Sequence, residues 1–480
     1  MRTLPFAGAA LAVAAALAGC AGYQPSTLPA ADGLLHDVDR IAVDSATLPI
    51  APLRTHRFDP SDGLDMTEVA MLAVANSPDL KALRADAGVT RAQAFSAGLL
   101  PDPQLALSGD HMLHPIPGST NAFSAGLAVD VSALLARSAI RAAGEAEGRK
   151  TNLELLWQEW QTVAKARLLF VKLQAIARAQ SVLASYRENV GARLADATRA
   201  ADQGLITREA TTPLLTAVQD AARQWSDLER QRNQSRHDLN ALLGVAPEVA
   251  LVLVGDSDAA TPDAAQVGAA IADAGRRRPD LLALQAGFEA QDDRYRGALR
   301  AQFPAITVGP TRARDTSNVN TIGFSLGITL PLFNRNRGNI AIESATRDKL
   351  RQDYQQRLDA TASESHRLLE EQAILRRQLA GIADSMPALD SAAQHAGQAF
   401  QARNIDALTL TNIEGALLAR RLERINADAA LQEQAIALQA LLGAAADVTA
   451  VPDAPDAPDA PTHREAAAPV PSSSNEVSPS

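Results

Sequence analysis

His111 and His114 stand three residues apart in HMLHP, a spacing that can bring two imidazoles onto one soft metal ion. Without a third ligand such a pair holds an ion only transiently, and a solvated loop is the simpler reading. Cys20, the only cysteine, ends the stretch LAGC, so a disulfide within the chain is excluded. The sequence has no Walker A loop, no HExxH and no CxxC, the arrangements that phosphate, zinc or dithiol chemistry needs. The expectation is a protein that is not an enzyme, with no cofactor and no metal site. Trp157, Trp160 and Trp225 read as helix packing, and RRRPDL at 276–281 reads as a solvated charge run before a helix opened by proline.

A net charge of -10 argues against nucleic acid, which demands a clustered basic surface. The first residues form a short basic region, an apolar run from Ala7 to Ala18 and a small-residue cleavage site, the pattern of an export signal. At the other end, repeated Asp-Ala-Pro passing into Pro and Ser cannot bury a core and reads as a disordered tail.

Between these ends the chain is two copies of one unit. SPDLKALRADAG from Ser77 aligns with RPDLLALQAGFE from Arg278 at an offset of 201, which also carries FSAGLAVDV at Phe123 onto FSLGITLPL at Phe324. ALLG at 241–244 returns at 440–443. Each copy has two alternating stretches: Leu105 and Leu107, then Phe123 to Val131, and in the second copy Ile306 and Val308, then Ile322 to Leu332. Strands of roughly 9 to 11 residues, apolar on one face and small or polar on the other, suit a transmembrane barrel. A soluble hairpin would alternate identically. The intervening segments are rich in Ala, Leu, Gln, Arg and Glu, and Leu153, Leu156, Trp160, Val163, Phe170 and Leu173 recur at coiled-coil spacing. Leu410, Ile413, Leu417, Leu431, Ala435, Leu438 and Leu442 supply a second seam.

LAGC resembles the bacterial lipobox, which implies a signal peptide over 1–19, a lipid anchor on Cys20 and, with Ala21 following, sorting to the outer membrane. Together with the duplication, the paired strands and the long helices, LPLFNRNRGNIAIESA at 330–345 resembles the strand-to-helix signature of TolC-like outer-membrane efflux channels. The resemblance covers residues 63–446, and the form NRNRG is similar to the heavy-metal export subgroup. It implies a homotrimer with one shared 12-stranded barrel, a periplasmic helical tunnel, and docking to a periplasmic adaptor and an inner-membrane pump. In that family the tunnel closes just after a helix-turn glycine; Arg403 stands there in this chain, while the first copy keeps Gly204. Asp406, Thr409 and Asn412 become the gate candidates. Pro331, Phe333, Arg335, Arg337 and Gly338 form the corner, with Pro331 ending strand pairing, Phe333 at the membrane interface, the two arginines at headgroup level and Gly338 relaxing the turn.

The expected fold is mainly α with a transmembrane β-barrel: a duplicated helix-strand-strand-helix-helix unit giving a trimeric 12-stranded barrel and a long periplasmic α-helical barrel. A segment at 20–62 reads as an N-terminal linker. Repeat one spans 63–247, with strands about 103–111 and 121–131 and helices about 138–200 and 206–244. A linker at 248–262 leads to repeat two at 263–446, with strands about 304–312 and 320–332 and helices about 339–402 and 405–443; the tail is 447–480. The expected function is an outer-membrane conduit for metal ions or drugs, lipid-anchored and bounded by outer-membrane lipid. A coiled-coil periplasmic spacer lipoprotein, or the same channel serving type I protein secretion, remain the alternatives.

Overall fold

The structure is a computed structural model and describes residues 23, 25–37, 43–114, 117–256 and 261–443. The signal peptide, Cys20 and the C-terminal tail of the sequence reading lie outside the described residues.

Local chemistry sets where each element starts. Asp65 accepts hydrogen bonds from the N–H groups of Thr67 and Glu68 at 2.7 and 2.8 Å, while Glu68 accepts from the Asp65 N–H at 2.9 Å. This reciprocal cap opens α1 (Met66–Asn76). Pro78, whose missing N–H costs nothing in a first turn, opens α2 (Pro78–Ala97). The hairpin β1 (Gln104–Asp110) and β2 (Ala122–Asp130) follows. Asp130 accepts from the Ala133 N–H at 3.0 Å and so caps α3 (Val131–Asp202), a single 72-residue helix with no residue between it and the strand. After the turn, α4 (Thr212–Leu243) runs back and stops at Gly244 in the left-handed conformation.

The second copy repeats the capping box, the opening proline and the terminal glycine. Asp263 and Gln266 cap α5 (Ala264–Ala272), Pro279 opens α6 (Pro279–Arg300), and β3 (Ala305–Arg314) pairs with β4 (Asn320–Thr329). Then come α7 (Arg337–Gln401) and α8 (Ala407–Leu442), which ends on left-handed Gly443. The four strands form one antiparallel sheet in the order β1-β2-β3-β4. The helices lie in the same lateral order: α3 packs against α2 and α4 on one side and α6 and α8 on the other, and α7 packs against α6 and α8. The sheet edges β1 and β4 are thus continued by the helix edges α2/α4 and α7.

The core sits at the waist, midway along α3. Phe170 and Leu243 are fully buried with Leu72 and Val69, and Trp157, Trp160 and Val163 bury Ile50, Leu53 and Met71. Each such large apolar side chain contributes about 1.5–3 kcal/mol. Along the α3–α8 contact the side chains are small: Ala164, Val171 and Ala175 against Ala429, Ile436 and Ala440. Trp160 joins the repeats directly, its Nε1 donating to the Ala440 carbonyl at 2.9 Å.

Three expectations need correction. The segment read as a linker over 20–62 is built into the waist from Leu48 to Leu53, where Leu48, Ile50 and Leu53, the last on a single helical turn over Ala51–Arg54, meet the tryptophans of α3. The linker at 248–262 likewise carries Leu253, which bridges to Leu64. The charge run at 276–281 is solvated at Arg276 and Arg277 only: Arg278 is 1% exposed, donates to both Asp280 oxygens and to Thr361 Oγ1, and lies 4.9 Å from the Trp157 ring. In addition, β4 stops at Thr329, three residues short of the expected Leu332, and α3 starts at Val131 rather than near 138.

Arg403 takes φ 61 at the tip turn where Gly204 takes φ 73 in the first copy. A side chain in that conformation costs about 1–2 kcal/mol. Arg403→Gly is therefore expected to raise the melting temperature, read by circular dichroism. A fall would mean that the Arg403 side chain contributes more than its backbone costs.

Candidate functional site

Register places Leu105 opposite Leu127, Val129 opposite Val308, and Ile306, Val308 and Pro310 opposite Ile328, Leu326 and Phe324. These residues share one face of the sheet, since side chains alternate with a period of two. The face is open: Ile322 is 85% exposed, Phe324 and Leu107 71%. The opposite face carries small groups, among them Ser108 and Ser124, whose hydroxyls are 2.8 Å apart, and Thr307, Thr311 and Ser325, with Asp110 and Asp130 at the strand ends. A continuous exposed apolar face of this size needs a lipid or protein cover.

At the corner, Pro331 follows the last pair, Ala305 with Thr329. The reversal is made by Arg335 and Asn336, both left-handed at φ 48 and 55. The Asn336 amide fixes it by donating to the Ala298 carbonyl of α6 at 2.8 Å. Gly338, expected to relax the turn, lies in the first turn of α7 without a positive φ. Phe333 is 92% exposed, and the Arg337 guanidinium donates to the Asn334 and Phe333 carbonyls at 3.4 Å. Asn336, absent from the sequence reading, is detectable as the residue type that best tolerates the left-handed region after glycine.

At the tip, Asp406 is the N-cap of α8, accepting from the Thr409 N–H at 2.7 Å, and the Thr409 bonds hold its carboxyl below the usual carboxylate range. Asp406, Thr409 and Asn412 therefore occupy the first turns of α8, with the one carboxylate among them committed to its own helix. The strongest tie between α8 and α3 near this end is a pair the sequence reading missed. Arg193 of α3 donates to Glu414 of α8 at 2.6 Å and to Thr411 Oγ1 at 3.4 Å, with the ionised side chains only 13% and 22% exposed. Tyr186 beside them is pushed up by burial and by the Glu414 charge. Nothing in sequence spacing links positions 221 residues apart.

Two other constellations carry less. His56, Asp65 and Glu68 bring three ligand atoms together, but Asp65 and Glu68 already accept the backbone N–H groups that cap α1. His111 Nδ1 lies 3.1 Å from Asn121 Oδ1, and no group of metal-ligating residues among the described ones includes His111 or His114. GFSLG at 323–327 has the GxSxG spacing of a hydrolase nucleophile elbow, a motif that the sequence reading wrongly took to be absent. It lies inside β4 rather than at a strand-to-helix turn, and Ser325 Oγ donates to the Gly309 carbonyl at 3.1 Å. Among the described residues no helix is long and apolar enough to cross a membrane.

The sequence model of the outer membrane efflux protein family, OEP, matches residues 270–444. Over that stretch, most of repeat two, the chain is similar to the outer membrane efflux protein family. No curated protein matches the sequence. Solved structures share the fold: the Campylobacter jejuni CmeC outer membrane channel (TM-score 0.68, 13% identity) is similar over 81% of this chain and 88% of its own. CusC, described as forming a transmembrane channel, is similar at TM-score 0.66 and 17% identity, over 86% of this chain and 99% of its own. The outer membrane protein VceC of Vibrio cholerae follows at 0.65 and 15%, over 79% and 96%. The efflux protein domain contains the corner, the tip turn and all three gate candidates. Repeat one lies outside the match yet folds the same way, with its own capping box, opening proline and terminal glycine.

Proposed function

We propose that three copies of this chain form an outer-membrane efflux channel, each giving four strands to one 12-stranded barrel and its helices to a periplasmic tunnel. The observation that carries the reading is the sheet itself. It exposes an apolar face, keeps a face of small polar groups and two aspartates behind it, and leaves β1 and β4 unpaired among the described residues. Open edges cannot stand in lipid, and both the strand edges and the helix edges continue laterally into the space a second copy would fill. A periplasmic spacer would leave the apolar face without a purpose.

Cys20 is the proposed lipid anchor, and an adaptor at the helical tip links the conduit to an inner-membrane pump. Metal ions or drugs are the proposed cargo, with secreted protein the alternative; the proposed lumen face carries Ser, Thr and Gly with Asp110 and Asp130 at its ends. The sequence spans 63–247 and 263–446 remain the proposed functional repeats. Planar-bilayer recording of the purified protein tests the channel: discrete conductance is expected, and a non-conducting monomer overturns the reading.

The gate is proposed at the tip, where Asp406, Thr409 and Asn412 begin α8 and the Arg193–Glu414 pair restrains it. Charge-assisted bonds of this kind are worth about 1.5–3 kcal/mol, so Glu414→Gln is expected to raise open probability roughly tenfold or more. An unchanged open probability would remove the pair from the gate.

A further inference from the structure

The apolar face of the sheet does not end in neutral residues on the side away from the helices. Register puts Arg312 opposite Ala125 and Ile322, and Arg314 opposite Phe123 and Asn320. Both arginines therefore continue the row of Ile306 and Val308, on the face read above as lipid-facing. Arg314 lies 5.4 Å from the Phe123 ring and donates to the Asn121 carbonyl at 3.2 Å. Arg312 is exposed and has no hydrogen-bond or ion-pair partner among the described residues. The nearby acids do not neutralise them. Asp315 is spent on the N–H groups of Ser317 and Val319 within the turn, and Asp110 falls on the opposite face.

A guanidinium at the end of an apolar row can lay its stem along the lipid and hold its planar fork at the headgroups, where it binds phosphate bidentately. The strand ends that carry these residues point away from the helices, hence toward the outer leaflet if the helices are periplasmic. We infer that Arg312 and Arg314 form a docking site for a phosphorylated lipid of the outer leaflet, two guanidiniums per protomer gripping its phosphate. This rests on the barrel reading above.

The full-length trimer in detergent, titrated with diphosphoryl lipid A, with its dephosphorylated form and with phosphatidylcholine, tests the inference by native mass spectrometry. Wild-type protein is expected to retain the diphosphoryl form selectively. Arg312→Gln with Arg314→Gln should weaken retention roughly tenfold or more, and lysine at both positions should restore part of it. Arg312→Gln alone leaves the Phe123 and Asn121 contacts in place and should still weaken retention, which separates phosphate binding from folding. Equal retention by wild type and the double variant, or indifference of wild type to the phosphate, overturns the inference. A conducting trimer that is indifferent to phosphate fails this inference alone, whereas a protein that neither trimerises nor conducts fails the channel reading first.

Discussion

Gly309→Ala is expected to abolish the heat-modifiable trimer, although it adds one methyl group to a strand. A Cβ at this position would overlap the carbonyl oxygen of Leu127 and lie 2.6 Å from its carbonyl carbon and 3.1 Å from the Ala128 Cα. All three atoms are backbone of the facing strand, so no rotamer change relieves the clash. The ladder shows the same pinch: β2 and β3 pair at Gly126 with Thr311 and at Val129 with Val308, with no pair between, where Pro310 has no N–H to donate. Because β2–β3 is the seam between the two repeats, separating these strands splits the sheet in half. Gly327→Ala is the control, since its Cβ would meet the Thr307 hydroxyl at 2.5 Å, a group that can rotate away. Semi-native electrophoresis of both variants decides the matter; a normal trimer yield for Gly309→Ala would show that the close approach is not required.

The second large effect is expected at Asp280. Removing its carboxylate by Asp280→Ala leaves Arg278, 1% exposed, with Thr361 and the Trp157 ring as its remaining contacts, and an uncompensated buried charge costs about 3–5 kcal/mol. Burial pushes the Asp280 carboxyl up, but the bonds from Arg278 and from Arg357, at 2.6 Å, outweigh it, and the net shift is downward. A folded-state pKa below the unfolded value, about 4, contributes stability that is fully present above that value. It is lost as pH falls through the lower folded pKa. Urea unfolding should therefore show the wild type losing stability below about pH 4 more steeply than Asp280→Asn. Parallel pH profiles would place the loss elsewhere.

What could be read from the sequence follows the range over which its causes act. The duplication, the alternating strands and the α3 seam depend on neighbours a few residues away, and Leu156, Trp160, Val163 and Phe170 are all buried as their spacing requires. Arg278 reads as surface charge because its burial is decided by Thr361 and Arg357, about eighty residues on, and by Trp157 in the other repeat. The segment from Leu48 to Leu53 shows no period because its only helix, the single turn Ala51–Arg54, is too short to repeat. The corner was assigned to its glycine, yet the backbone reverses at Arg335 and Asn336, held by a carbonyl of α6 that no local pattern reveals. At the tip, Asp406 enters the sequence reading as a gate candidate and its capping role appears only in the structure; the Arg193–Glu414 pair is not legible, because it forms only when α8 lies along α3.

The two long helices are rooted differently in the sheet. α3 leaves β2 with no intervening residue, so strand and helix act as one rigid rod, roughly 110 Å long at 1.5 Å per residue. α7 leaves β4 through seven residues containing two left-handed positions, and Pro387 removes a hydrogen bond from its far half. One arm continues its strand directly, and the other is joined through a longer turn held to α6 by the Asn336 amide bond. A rotation of about 1° at the α7 root, carried along a lever of some 100 Å, displaces its end by roughly 2 Å, a movement that leaves the four-stranded sheet in place.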